Sequence, residues 1–201
     1  QLAEKIHKID TSHPVFAVAE NSKNLPSELY CFHKLAPSVD VMGVNSYYED
    51  QIGILPNVQS LTDTTRPYLI SEFGPQGYWD SYFSKFDEDG RVNEDAGAIK
   101  AGLYAKRWSD YVQGKKGMNV GGIAYTWRDR MEGTFTWFGL TDYKGRLKPT
   151  YFALKERWTG IKEHEFDSDV YIYTPKEKIK PGIPCTFYAI TETMNTENMR
   201  F

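Results

Sequence analysis

Short apolar runs alternate along this chain with segments whose apolar residues recur at helical spacing. Residues 14–20 (PVFAVAE) read as a buried strand, introduced by the turn-prone string Asp10-Thr11-Ser12-His13-Pro14. Residues 26–35 follow as a helix, with Pro26 near the first turn, where a missing N–H costs little. A second strand is predicted at 39–47 (VDVMGVNSY), a weak helix at 51–63 interrupted by Gly53 and Pro56, and a third strand at 67–73 (PYLISEF). Asn93 is placed to cap a long helix, with Glu94 and Asp95 in its first turn, where carboxylates suit the helix dipole. Ile99, Leu103, Trp108 and Val112 are its expected apolar positions, and Gly114 its end. A fourth strand at 122–127 (GIAYTW) and a helix at 150–158 complete the series.

This alternation implies βα units around a parallel sheet, hence an α/β fold. The strands are apolar throughout rather than alternating, as expected where both faces of a sheet are covered. Four such units are predicted, and a closed eight-stranded barrel needs about 200 to 250 residues in eight units, so a whole barrel is not expected here. After Gly160 the texture changes. Val170 and Ile172 alternate with Tyr171 and Tyr173, turns follow at 175–178 and at Pro181-Gly182, and residues 185–190 (CTFYAI) read as another strand. Short strands with Pro and Gly turns suggest the start of a β-sandwich. The expected division is therefore 1–160 and 161–201.

Composition narrows the class. The 201 residues are 40% hydrophobic and 25% charged, which excludes a disordered tail, a collagen-like fibre or a disulfide-rich miniprotein. A net charge of −3 with both signs scattered gives no basic footprint, so no nucleic-acid partner is expected. No apolar stretch is long enough for a membrane span. Cys31 and Cys185 read as buried free thiols, and no Cys or His pair has metal-ligand spacing, so neither a metal nor a cofactor is assigned. No signal peptide is expected within these residues. The compartment stays open, with a secreted or periplasmic one preferred to the cytoplasm. The aromatic share, 15%, suits either a large core or a cleft that stacks on the apolar faces of sugar rings.

The most informative string is Arg66-Pro67-Tyr68-Leu69-Ile70-Ser71-Glu72-Phe73-Gly74, an apolar strand ending in a carboxylate followed by glycine. Parallel α/β sheets carry their reactive groups at the carboxyl ends of the strands. Ser71 and Gly74 are small and leave room around Glu72. A Glu at a strand end also makes ordinary ion pairs with a neighbouring Arg, so the string alone leaves both readings open. The second strand ends Asn45-Ser46-Tyr47-Tyr48, where a phenol would reach Glu72 and keep it oriented and ionised. The fourth ends Tyr125-Thr126-Trp127-Arg128-Asp129, which brings an indole to the same rim, and the first ends Ala19-Glu20-Asn21. A ring of carboxylate, phenol and indole is the equipment of a glycosidase pocket. The segment 75–92, with Tyr78, Trp79, Tyr82, Phe83 and Phe86, is long for a βα loop and is expected to line outer subsites.

These strings, in this order, resemble the second half of the catalytic barrel of retaining glycoside hydrolases of clan A, most of all family 2, which includes β-galactosidases, β-mannosidases and β-glucuronidases. Lys8 to Val15 resembles that family's entry into barrel strand five, Val39 to Tyr48 strand six, Arg66 to Gly74 strand seven, and Gly121 to Trp127 strand eight. Phe138 to Asp142 and Lys148 to Leu154 resemble the tail beyond strand eight. The resemblance implies the C-terminal half (strands 5–8) of a TIM (β/α)8 barrel and a retaining β-glycosidase acting on an oligosaccharide or glycoside. It makes Glu72 the nucleophile, Tyr47 its hydrogen-bonding partner, and Trp127 a floor or wall of the sugar subsite, with Asn45 beside them; apart from the resemblance, Trp79 in the long loop and Arg128 in the charged run after the fourth strand are expected as substrate-binding residues. The family's acid/base Glu, which follows an Asn at the end of strand four, is expected upstream of Gln1, so the isolated chain is expected to be nearly inactive on natural glycosides. The Asn-x-Lys signature by which glucuronidases hold a uronate is not found after strand eight, which argues against that substrate. A transglycosylase or a carbohydrate-binding relative without catalysis fits the same residues. An open half-barrel would also leave strand edges unpaired, favouring self-association or association with a missing half.

Overall fold

A computed structural model of the chain describes residues 1–62, 66–79, 94–114, 117–163, 170–173, 181–184 and 188–191. Four strands, β1 (Phe16–Glu20), β2 (Val41–Asn45), β3 (Tyr68–Phe73) and β4 (Asn119–Ala124), lie side by side in chain order, and every neighbouring pair is parallel. Helices α1 (Leu2–Ile9), α2 (Leu25–Leu35), α3 (Glu49–Thr62), α4 (Gly97–Arg107) and α5 (Pro149–Thr159) intervene or flank, as the alternating pattern predicts. Beyond them β5 (Val170–Tyr173) and β6 (Tyr188–Thr191) pair antiparallel. Residues 164–169, 174–180, 185–187 and 192–201 of the expected sandwich module, Cys185 among them, lie outside the described residues, as do Tyr82, Phe83, Phe86 and Asn93.

The core forms between the sheet and the helices. Ala19, Met42, Val44, Tyr68, Ile70 and Phe73 from the strands pack with Leu25, Leu29, Ile52, Leu55, Tyr104 and Leu154 from the helices. The expectation that both sheet faces are covered fails at the outer strands. Phe16, Val18, Val120 and Ile123 are roughly half exposed, because β1 and β4 each have a strand neighbour on one side only. Cys31, expected to be buried, is exposed on α2.

Polar groups fix the ends of the elements. Arg66 is buried and donates to the carbonyls of His33 and Ala36 at 3.1 and 3.0 Å, so a cation closes the carboxyl end of α2. Pro149 opens α5, and Gly160 ends it at φ +73°, a left-handed conformation that glycine adopts without steric penalty. The fourth helix departs from its sequence reading. It starts at Gly97 without a side-chain cap and continues through a π-helical turn, Trp108–Gln113, before Gly114. Glu94 does not sit in its first turn. It pairs instead with the buried Lys100 ammonium and accepts from the hydroxyls of Thr134 and Thr136. Lys100, Tyr104 and Arg107 are therefore buried on α4 while Ile99 is exposed. The inward side of this helix thus carries the paired Lys100 and the buried Arg107 beside Ala101, Tyr104 and Ala105.

Leu154 has no exposed surface and belongs to the buried core, on a helix that packs mainly against α4. Leu154→Ala is expected to destabilise the chain by about 2–5 kcal/mol, read as a lower midpoint in chemical denaturation with an unchanged slope.

Candidate functional site

The parallel register brings three strand ends into one row. Glu20 of β1 stands opposite Asn45 of β2, and Asn45 opposite Glu72 of β3. A cleft of about 270 Å³ opens there, lined by Glu20, Asn21, Asn45, Tyr47, Tyr48, Gln51, Glu72 and Trp79. That is close to the volume range of small-ligand sites. Backbone bonds continue the ladder past the strand ends: Asn21 N–H donates to the Asn45 carbonyl at 3.0 Å, and Ser46 N–H to the Glu72 carbonyl at 2.9 Å.

Within the cleft Tyr47 Oη donates to Glu72 Oε2 at 2.6 Å. Burial raises the Tyr47 phenol well above its ordinary range, and the Glu72 carboxylate at its hydroxyl raises it further, so the phenol stays protonated as a donor. Its ring is held on three sides, edge-on to Trp79 at 5.5 Å and to Tyr125 at 6.2 Å, and tilted against Phe138 at 5.8 Å. Asn45 Oδ1 accepts from Ser71 Oγ at 2.8 Å, which orients the Asn45 amide. Asn21 is fixed by donating to Ser46 Oγ at 2.8 Å. Trp79 keeps 47% of its surface exposed at the rim.

The segment after β4 supports this aromatic wall. Asp129 is buried and receives Lys148 Nζ on both oxygens, at 2.9 and 2.8 Å, and the Gly139 N–H at 2.7 Å. Lys148 and Lys100 both donate to the Thr136 carbonyl, at 2.8 and 3.0 Å. Although burial opposes the charge on Glu94, Lys100 beside it and the hydroxyls of Thr134 and Thr136 outweigh burial and hold that carboxyl below its ordinary range. Together these bonds set Trp137 and Phe138 in a buried cluster with Tyr47, and Trp137 Nε1 donates to the Gln76 carbonyl at 2.9 Å. Gly74 does not simply leave room around Glu72. A Cβ there would stand 2.8 Å from Tyr104 Oη and 2.9 Å from the Tyr125 carbonyl oxygen, so the backbone after the carboxylate is closely packed.

Four of the expected site residues meet at the cleft: Glu72, Tyr47, Asn45 and Trp79. Two do not. Trp127 is 62% exposed and packs edge-on against Tyr151 of α5. The reason is that β4 ends at Ala124, before the expected Trp127. The chain then pairs with 138–141 through Leu140 N–H to the Thr126 carbonyl and Thr141 N–H to the Trp127 carbonyl. Tyr125, not Trp127, faces Tyr47. Arg128 is committed to the Tyr143 carbonyl, outside the cleft. Sequence reasoning missed Glu20, Asn21, Tyr48 and Gln51 as cleft residues, and it missed the unit in which Tyr125 Oη donates to Glu132 Oε1 at 2.7 Å while Arg130 Nε pairs with the same oxygen at 2.7 Å. The Ala19-Glu20-Asn21 string carried a signal for the first two, since it ends its strand as Glu72 ends β3.

No protein-family model matches the chain, and a search of curated proteins returns no match. Among solved structures it is similar to a GH39 β-xylosidase from Caulobacter crescentus, with a TM-score of 0.53 at 17% identity over 88% of this chain. The chain shares its fold with part of a glycoside hydrolase. It spans 42% of that enzyme, and at this identity the likeness establishes the α/β scaffold with its parallel sheet and nothing finer. Among the described residues, no group of three or more His, Cys, Asp or Glu is arranged to hold a metal, and no helix is long and apolar enough to cross a membrane.

The tyrosines give a direct check on this packing. Burial pushes Tyr68 up to about 12, and Tyr47 and Tyr104 are raised further. A folded-state value above the unfolded one, about 10, contributes stability that is intact below pH 10 and is lost as pH rises through the folded value. Stability should therefore fall above pH 10, with Tyr68 contributing across roughly pH 10 to 12. Tyrosinate absorbance should show a class that ionises only as the chain unfolds.

Proposed function

We propose that this chain supplies the nucleophile half of a retaining β-glycosidase site, on the C-terminal half of a TIM barrel most like family 2, with residues 161–201 beginning a sandwich module. The observation that carries the reading is the Tyr47–Glu72 hydrogen bond at the mouth of β3, inside a cleft of single-sugar size. A glycoside hydrolase with the same scaffold adds support at the level of fold.

In the reaction one Glu72 oxygen attacks the anomeric carbon of a bound β-glycoside. The carbon–oxygen bond to the leaving group breaks, and its electron pair departs with the aglycone oxygen, which takes a proton from a second carboxyl group contributed from outside these 201 residues. Water, giving a proton to the now deprotonated second carboxylate, then attacks the glycosyl-enzyme at the same carbon, and the ester bond breaks to return Glu72 as carboxylate; a sugar hydroxyl in place of water would give transglycosylation. Tyr47 holds the attacking carboxylate in orientation, Asn45 presents its amide to the sugar, and Trp79 offers its ring face at the rim.

Activated probes test this without the second carboxyl, because dinitrophenolate leaves as the anion. Incubation with 2,4-dinitrophenyl 2-deoxy-2-fluoro-β-glycosides of glucose, galactose, mannose and xylose should add one fluoroglycosyl mass, mapped by peptide sequencing to Glu72. Glu72→Gln should remove the labelling, and Tyr47→Phe should slow it by about tenfold or more. A mass added elsewhere, or none with any of the four sugars, rejects Glu72 as nucleophile. Sugar binding that persists with no labelling would favour a carbohydrate-binding relative instead.

A further inference from the structure

We propose that Glu20 is a specificity-determining residue that accepts a hydrogen bond from a ring hydroxyl of the sugar held against Glu72. This rests on the glycosidase reading above and adds a residue it does not use.

The geometry sets Glu20 apart from the other carboxylates near the site. It shares the cleft with Glu72 and lies two strands away in the same register row, about 10 Å between Cα atoms at ordinary strand spacing. The neighbouring carboxylates are all engaged: Glu72 by Tyr47, Glu132 by Tyr125 and Arg130, Asp129 by Lys148, and Glu94 by Lys100. The Glu20 carboxylate has no hydrogen bond or ion pair among the described residues.

Its backbone, in contrast, is fixed on both sides. The Glu20 carbonyl accepts from Ser22 N–H at 2.9 Å, and the next residue, Asn21, is held by its own N–H to Asn45 and by its side chain to Ser46. An exposed, acceptor-only carboxylate carried on a fixed backbone at the wall of this cleft suits a ligand rich in hydroxyl donors. Asn45 stands between the two carboxylates in register, and with its Oδ1 accepting from Ser71 its amide nitrogen remains as a donor. The cleft thus offers acceptor, donor, acceptor in a row, which complements a ring carrying hydroxyls on adjacent carbons. A polar site of this kind discriminates by what a substrate lacks.

Two measurements on the 201-residue chain separate this inference from the reading beneath it. The first is binding of methyl β-D-glycosides of xylose, glucose, galactose and mannose, and of their monodeoxy analogues, by ligand-observed NMR. Glu20→Gln should weaken the preferred methyl glycoside about tenfold or more, and one monodeoxy analogue should bind the unsubstituted and substituted chains equally. Equal binding of the parent glycoside to both chains, no binding to either, or a loss shared by every analogue, overturns the proposal. The second is the rate of Glu72 labelling by activated 2-fluoroglycosides. Labelling that persists while Glu20→Gln changes no affinity removes Glu20 alone. Glu20-dependent binding without labelling removes the Glu72 chemistry alone. A labelling defect in Glu20→Gln that deepens as the leaving group becomes poorer marks a proton donor and also overturns the hydroxyl-binding role. Unchanged thermal melting of Glu20→Gln would confirm that the exposed side chain is not structural.

Discussion

Parallel pairing is the constraint on which everything else rests. In a parallel sheet all strands end at the same edge, so residues remote in sequence arrive together without any loop having to carry them. Glu20, Asn45 and Glu72 are spread over more than fifty positions, yet two register relations place them side by side. The ladder persists for a residue beyond the strands, through Asn21 to Asn45 and Ser46 to Glu72. The cleft floor is thus backbone-defined, and the side chains need only be of the right kind.

Around that floor the protein uses two different means of holding its walls. On the β2–β3 side the means are short polar bonds: Tyr47 to Glu72, Ser71 to Asn45, Asn21 to Ser46. On the side after β4 the means are buried ion pairs, Asp129 with Lys148 and Glu94 with Lys100, tied through the Thr136 carbonyl. Buried pairs of this sort contribute little net stability, since desolvation offsets attraction, but breaking one is costly. Their value here is positional. They fix a long irregular segment so that Phe138 and Trp137 pack with Tyr47.

The sequence made the scaffold legible because strand runs and helical spacing survive in the local pattern. β3 and its terminal Glu72 could be read from PYLISEFG, and Tyr47 from its place after β2. What could not be read was where β4 ends. Six consecutive residues in GIAYTW suit a strand, but β4 ends at Ala124, Tyr125 N–H makes a last bond to the Phe73 carbonyl, and the chain then pairs with 138–141, a long-range choice that local pattern does not encode. That single shift moves Trp127 away from the cleft and gives its place to Tyr125. In the same way the start of α4 was misread because Glu94 suits a helix dipole, whereas in the fold it answers a buried ammonium. Cys31 failed for the opposite reason, since residue type suggests burial but it stands on an exposed side of α2.

Tyr104 has a consequence that reaches past its own helix. Wholly buried in α4, its hydroxyl lies within hydrogen-bond reach of the Phe138 carbonyl, at 2.7 Å, and of the Tyr125 carbonyl, against the backbone of Gly74. One phenol therefore couples the outer layer to both banks of the cleft. Drift in the residues that seat α4, although none of them lines the cleft, would be transmitted to the carboxylate, and tolerance to change on that layer should mirror the tolerance of the site itself.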